Sequence, residues 1–114
     1  PLVLWSLQNN SEVFDVFATP QYYAINVLAA EQEALSVSYA RPGGHQLQPA
    51  HFTRGENGAP VISGALAHFE CELAATHEGG DHTIIVGRVT RFAADLARDP
   101  LVFYRGGYRA LAAS

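Results

Sequence analysis

Hydrophobic and polar positions divide the chain into short runs separated by turn residues. Leu2–Leu7 is a compact apolar run around Trp5 and reads as a strand. Gln8-Asn9-Asn10-Ser11 breaks it. Asn9 or Ser11 can cap a short helix reaching about Phe17, and Asn9 with Glu12 has capping-box spacing. Val13, Phe14, Val16 and Phe17 give that helix an apolar side, and Ala18-Thr19-Pro20 ends it. Tyr22–Leu28 is aromatic and β-branched, which marks a strand. Asn26 stands alone in that run, so if buried its amide must tie the strand to a neighbour or loop. Ala29–Ala40 reads as a helix, with Glu31 and Glu33 in its first turn and Leu35 and Tyr39 on one face.

Residues 41–60 hold prolines, glycines, His45 and His51 with no strong period, and read as a long loop. Ala59–Ile62 leads into a short strand. From Ala65 to Thr76 the pattern alternates. Ala67, Phe69, Cys71, Leu73 and Ala75 share one face; His68, Glu70 and Glu72 share the other, as in a half-exposed antiparallel strand. A turn over His77–Asp81 leads into a strand from His82 to Phe92. Ala93–Arg98 connects to a last strand, Pro100–Tyr104, and Arg105-Gly106-Gly107-Tyr108-Arg109 follows as a glycine-rich tail. Strands do not alternate regularly with helices, so a mainly β, antiparallel barrel with two short helices is expected rather than a doubly wound sheet.

The 114 residues suit a single domain, 1–114, whose thin core a dimer interface would reinforce. The chain has no Met and begins inside a strand, which implies further N-terminal strands before Pro1 in the natural polypeptide. No apolar run is long enough to span a membrane, and Pro1–Trp5 has neither the basic region nor the cleavage site of a signal peptide. A net charge of -4 argues against a nucleic-acid partner. The lone Cys71 excludes an internal disulfide, suits a reducing cytoplasm, and reads as a buried structural thiol.

The chain lacks a dinucleotide-binding glycine fingerprint, a P-loop and a nucleophile elbow. Its five His do not pair at metal spacing, and no metal site is expected. Three candidate features remain. Gly79-Gly80-Asp81 forms a tight turn that releases His82 at the first position of a strand. That is either an ordinary surface histidine or an imidazole held towards a ligand. Asn10-Ser11 at a helix start is either a plain cap or a phosphate contact. Tyr104-Arg105-Gly106-Gly107-Tyr108-Arg109 is either a solvated tail or a pairing of rings and guanidinium groups able to stack on a flat ring and meet a phosphate.

Taken in order, these blocks resemble the flavin reductase family, the small reductase partners of two-component flavin-dependent monooxygenases. Gly80-Asp81-His82 with Gly87-Arg88-Val89 is similar to its G-D-H-x-x-x-x-G-x-V signature. Tyr23–Leu28, Glu31-Gln32 and Tyr39-Ala40 resemble its F-x-V-N-V-L, E-Q, F-A block. Pro60–Ile62 with Gly64–Ala67 resembles P-x-L-x-G-A-x-A, and Pro100–Gly106 the closing P-L-x-Y-x-R-G.

The resemblance implies a split antiparallel β-barrel that forms a homodimer, with FMN or FAD near the dimer interface. The implied activity is hydride transfer from NADH or NADPH to flavin, which leaves for an oxygenase partner. His82 is then the catalytic candidate, with Tyr104 also on the nicotinamide side. Asn10 and Ser11 would contact flavin phosphate or ribityl, Arg105 an anionic group, and the 41–60 loop would cover the cofactor. Family members also carry strands before the position of Pro1, including a Ser/Thr-rich loop at the isoalloxazine. A barrel that retains its flavin as carrier or store, and a barrel used only for dimerisation, are the competing functions.

Overall fold

The computed structural model describes residues 1–18 and 21–112. Four strands form the main sheet: β1 (Leu2–Gln8), β2 (Tyr22–Val27), β5 (Ala67–Gly79) and β6 (His82–Ala94), in the order β1-β6-β5-β2, all antiparallel. Two hairpins flank it. β3 (Phe52–Arg54) pairs with β4 (Pro60–Ile62), and β7 (Val102–Tyr104) with β8 (Gly107–Arg109). The helices are short: α1 (Phe14–Ala18) and α2 (Glu33–Ala40). The register of β5 on β6 shifts between Glu70 and Cys71 and between Leu73 and Ala75. Such bulges bend and twist a strand, and the sheet curls into a half-barrel. Among the described residues, no helix is long and apolar enough to cross a membrane.

Alternation sets the core. Leu7, Tyr23, Cys71 and Ile85 are buried on the inner face, with Val3, Trp5, Ile25, Phe69, Leu73 and Val89 around them. α1 packs Val13, Phe14 and Phe17 onto that face, and the Trp5 and Phe17 rings meet edge to face at 5.3 Å. Gly87 is the one position in this packing that admits no side chain. A Cβ there would collide with the Tyr23 hydroxyl and lie 2.9 Å from Tyr23 Cζ. The glycine of the G-x-V block therefore has a packing reason. Cys71 is fully buried, and burial pushes its thiol above the ordinary 9.0. Burial, and next the neighbouring Cys71, push the Tyr23 phenol up as well.

Several sequence expectations change. Ala29–Ala40 is not one helix: a 3-10 turn over Ala30–Gln32 precedes α2. The Gln32 side chain reaches back to accept from the Ala29 N–H at 2.9 Å, so the entry is fixed by a residue inside the expected helix. Residues 41–60 are not a loose loop. They contain a 3-10 turn at Pro49–His51 and the strand β3, and hydrogen bonds tie them to Glu12, Tyr39 and Glu70. The tail is a hairpin: Arg105 and Gly106 take φ of 51° and 76° and turn β7 into β8. The strand expected over Pro100–Tyr104 is β7 and begins at Val102, because Pro100 and Leu101 instead bridge to Ala29 and Leu28. β6 runs on to Ala94, past the expected end at Phe92. The expected stop at Thr19-Pro20 lies outside the described residues.

Glu70 is the largest departure. It lies on the face opposite the core, as the alternation requires, yet is only 1% exposed. The β3–β4 connection covers it. Asn57 N–H donates to its carboxylate at 3.0 Å, and His68 Nε2 and Arg91 Nε each approach it at 3.6 Å. A Cβ at Gly55 would collide with the same carboxylate, so only glycine lets the chain pass. Asn57 also donates to the carbonyls of Tyr23 and Cys71, pinning the connection across β2 and β5. Asn26 meets the expectation made for it: it donates to Pro60 O at 3.2 Å and accepts from Ile62 N–H at 2.9 Å.

Candidate functional site

His82 opens β6 opposite Gly79, and Gly80-Asp81 form the two-residue turn between them. Gly80 takes φ 69°, a conformation open to glycine at the first central turn position. The Asp81 carboxylate sits 2.7 Å from His82 Nδ1. An ionised carboxylate only accepts, so Nδ1 carries the hydrogen and Nε2 is the nitrogen left for a ligand. The hydrogen bond from His82, and next its charge, hold the Asp81 carboxyl below the usual range. The His82 side chain is 39% exposed, so the imidazole is reachable from outside while its backbone is held in the ladder.

The connection from β1 to α1 lies against this turn. Gln8 is the register partner of His82, and Asn9 N–H donates to Asp81 O at 2.9 Å. Asn10 is exposed and its side chain takes no partner among the described residues. Ser11 Oγ accepts from Val13 N–H at 3.3 Å, in the turn just ahead of α1. The capping box expected from Asn9 and Glu12 is absent. The Asn9 side chain turns to the β5–β6 turn instead, and Glu12 accepts from Gly43 N–H and pairs with His45 Nε2 at 3.0 Å. A helix of only five residues has little dipole, so any anion at Asn10-Ser11 would rest on side-chain donors.

Tyr104 and Arg105 lie elsewhere. Their hairpin is anchored at Leu28–Ala29 and, through a 2.8 Å bond between Tyr108 and Ser36, to α2. That region adjoins the Ala67 end of β5, whereas His82 adjoins its Gly79 end. The 13-residue strand β5, bent by its two bulges, runs between them. One chain therefore sets the Asn10-Ser11 connection beside the turn that carries His82 and leaves Tyr104 and Arg105 at the other end of β5. At the hairpin tip the Arg105 guanidinium lies 5.2 Å from the Tyr104 ring centroid, and the Tyr104 side chain is exposed.

A cleft of about 930 Å³ opens between α1, β2 and the 41–60 segment, with Phe17, Tyr22, Leu47, Phe52 and Arg54 in its walls. None of the five residues assigned above to cofactor or catalysis lines it. His45 and His51 of that segment are held to Tyr39, His45 through the carbonyl at 2.8 Å and His51 through the hydroxyl. Among the described residues, no three His, Cys, Asp or Glu side chains lie together as a metal cluster. Sequence reading missed Asn9, Thr83 and Glu70. The only signal for the first was its place in a polar run directly after a strand.

The chain is 44% identical over 108 residues to the FMN reductase (NADH) SmoA of Agrobacterium fabrum, covering 95% of this chain and 61% of that protein. It is 32% identical over 108 residues to HsaB of Rhodococcus jostii, the reductase subunit of a flavin-dependent monooxygenase, covering 95% of this chain and 55% of HsaB. Its structure superposes on the Streptomyces globisporus NADH:FAD oxidoreductase SgcE6 with a TM-score of 0.91 at 33% identity, over 100% of this chain and 70% of that one. The chain thus spans somewhat over half the length of the curated relatives it matches. The flavin reductase like domain is matched by residues 1–112, from the first core strand through the β7–β8 hairpin, and the chain belongs to that family.

Proposed function

We propose that this chain is the cofactor-handling domain of an NADH:flavin oxidoreductase that supplies reduced FMN or FAD to an oxygenase partner. The observation that carries the reading is the 44% identity to an FMN reductase (NADH), which runs through the strand entry bearing His82. Both SmoA and SgcE6 are named for NADH, which favours it over NADPH. The donors present suit a flavin: Asn10 offers a free amide, and Ser11 keeps its hydroxyl hydrogen after accepting from Val13. Such groups match a ribityl chain or phosphate. Retention of flavin as a store has no comparable support.

When bound, nicotinamide and flavin supply the redox chemistry themselves, hydride passing from one ring to the other. The protein needs neither nucleophile nor general base, and its work is alignment. His82, with Nε2 left for a ligand, orients the nicotinamide; Asn10 and Ser11 hold the flavin side chain. Tyr104 and Arg105 join the same site from a second copy of the chain, because their own copy holds them at the far end of β5. A symmetric pair of chains would form two such sites. The free thiol of Cys71 and a need for NADH favour a cytoplasmic location.

The test is oxidation of NADH with free FMN, and separately FAD, in excess. Nicotinamide absorbance should fall in proportion to protein. A yellow protein that consumes no NADH with either flavin would overturn the reading.

A further inference from the structure

Asn9 is an exposed residue at the end of a strand, and three of its groups act on one turn. Its N–H donates to Asp81 O at 2.9 Å. Its Nδ2 donates to Gly80 O at 3.4 Å. Its Oδ1 accepts from Thr83 Oγ1 at 2.7 Å. These contacts grip residues 80, 81 and 83, on both sides of His82 along the chain. The next two residues are Asn10 and Ser11. One short side chain therefore links the proposed flavin contact to the proposed nicotinamide contact. The link needs a donor and an acceptor at the same reach. Aspartate lacks the donor, leucine lacks both, and glutamine is a methylene longer.

We propose that Asn9 is a positioning residue: by clasping the Gly80–Asp81 turn and Thr83 it fixes the His82 imidazole relative to the Asn10-Ser11 contact. The inference rests on the functional reading above and adds to it a residue that touches neither cofactor. Alignment is the whole of the protein's contribution to such a reaction. A small displacement of the imidazole therefore lowers rate without unfolding the chain.

The experiment compares Asn9→Ala, Asn9→Asp, Thr83→Val and the Asn9→Ala/Thr83→Val double variant by two readouts. The first is the set of histidine ring NMR signals of the protein without cofactor. In Asn9→Ala the His82 signal should move while those of His45, His51, His68 and His77 stay. The second is NADH oxidation with FMN in excess. Asn9→Ala should lower kcat/KM for NADH roughly tenfold with the melting temperature held within a few degrees. Asn9→Asp, which keeps the acceptor for Thr83, should recover part of the loss. The double variant should be no worse than Asn9→Ala, since both changes break one link.

An unmoved His82 signal in Asn9→Ala overturns the proposal, whatever the activity. So does a moved signal with unchanged kcat/KM where His82→Ala itself is impaired. If His82→Ala turns over normally, the functional reading fails instead, and the ring signals still decide whether Asn9 sets the imidazole.

Discussion

Two hairpin turns with left-handed backbone carry the candidate chemistry, and they are built differently. At the Gly80–Asp81 turn the left-handed residue is glycine, and another element reaches in to hold it through Asn9. At the Arg105–Gly106 turn a non-glycine residue takes φ 51°, and the tip's contacts are local: Arg105 over Tyr104, and Phe103 edge to face with Tyr108 at 5.2 Å. The first turn presents a side chain already oriented by its own chain. The second leaves Phe103 63% and Tyr104 55% exposed. Exposed rings on a strained tip are the arrangement of a part completed by another surface. The contrast fits the proposal that one chain organises half a site and offers the other half outward.

The comparison breaks most severely at Gly87. Changing Gly87→Ala places a methyl against the Tyr23 phenol in the packed inner face. A loss of about 3 kcal/mol is expected, read as a lowered denaturant midpoint, because overpacking a core costs 1–3 kcal/mol or more. Combining it with Tyr23→Phe should return part of that loss; no recovery would show that the strain lies elsewhere. Glu70→Ala comes next. It leaves the half-buried Asn57 N–H without its acceptor and frees the β3–β4 connection, costing about 1–3 kcal/mol by the same measurement. NADH turnover should survive at temperatures where the fold does, since Glu70 touches neither turn.

Arg105→Gly separates the two turns more finely. It relieves a positive φ worth about 1 kcal/mol, offset by the added freedom of the unfolded chain, so stability should hardly change. NADH oxidation should fall severalfold, because the guanidinium is lost from the outward half of the site. The smallest effect is on the alkaline side. Cys71 and Tyr23 have folded values raised above their ordinary 9.0 and 10.0. Their protonated forms are favoured in the folded state, so stability is fully present below about pH 9.0 and declines as the pH rises through the folded values. Thermal midpoints across that range should fall, and less in Cys71→Ser if the thiol contributes.

Alternation and turn chemistry made much of this legible in advance. The strands around Trp5, Tyr23, Cys71 and Ile85 have one apolar face each, and Gly80-Asp81 can hardly be anything but a turn. His82 at the strand entry followed from those two facts, and the ordered blocks pointed to the family. Four things were hidden. Glu70 looked exposed because the pattern of its own strand says nothing about a distant hairpin laid over it. Arg105–Arg109 looked like a tail because β8 is only three residues long and is anchored through Tyr108 by Ser36, 72 positions away. The distance between His82 and Tyr104 depends on the curl and length of β5, which local sequence does not encode. Asn9 looked like half of a capping box, and its amide found partners across the sheet instead.

The account turns on His82 and the Tyr104–Arg105 tip serving one site from two chains. The most direct test mixes two impaired variants, His82→Ala and Tyr104→Ala/Arg105→Ala, after partial denaturation that lets subunits exchange. In a mixed pair, one site keeps every functional group and the other loses all three. Random exchange should therefore restore NADH oxidation to about a quarter of the unmutated rate, above the sum of the separate variants. Activity no higher than that sum, in samples shown to contain mixed pairs, would contradict the account.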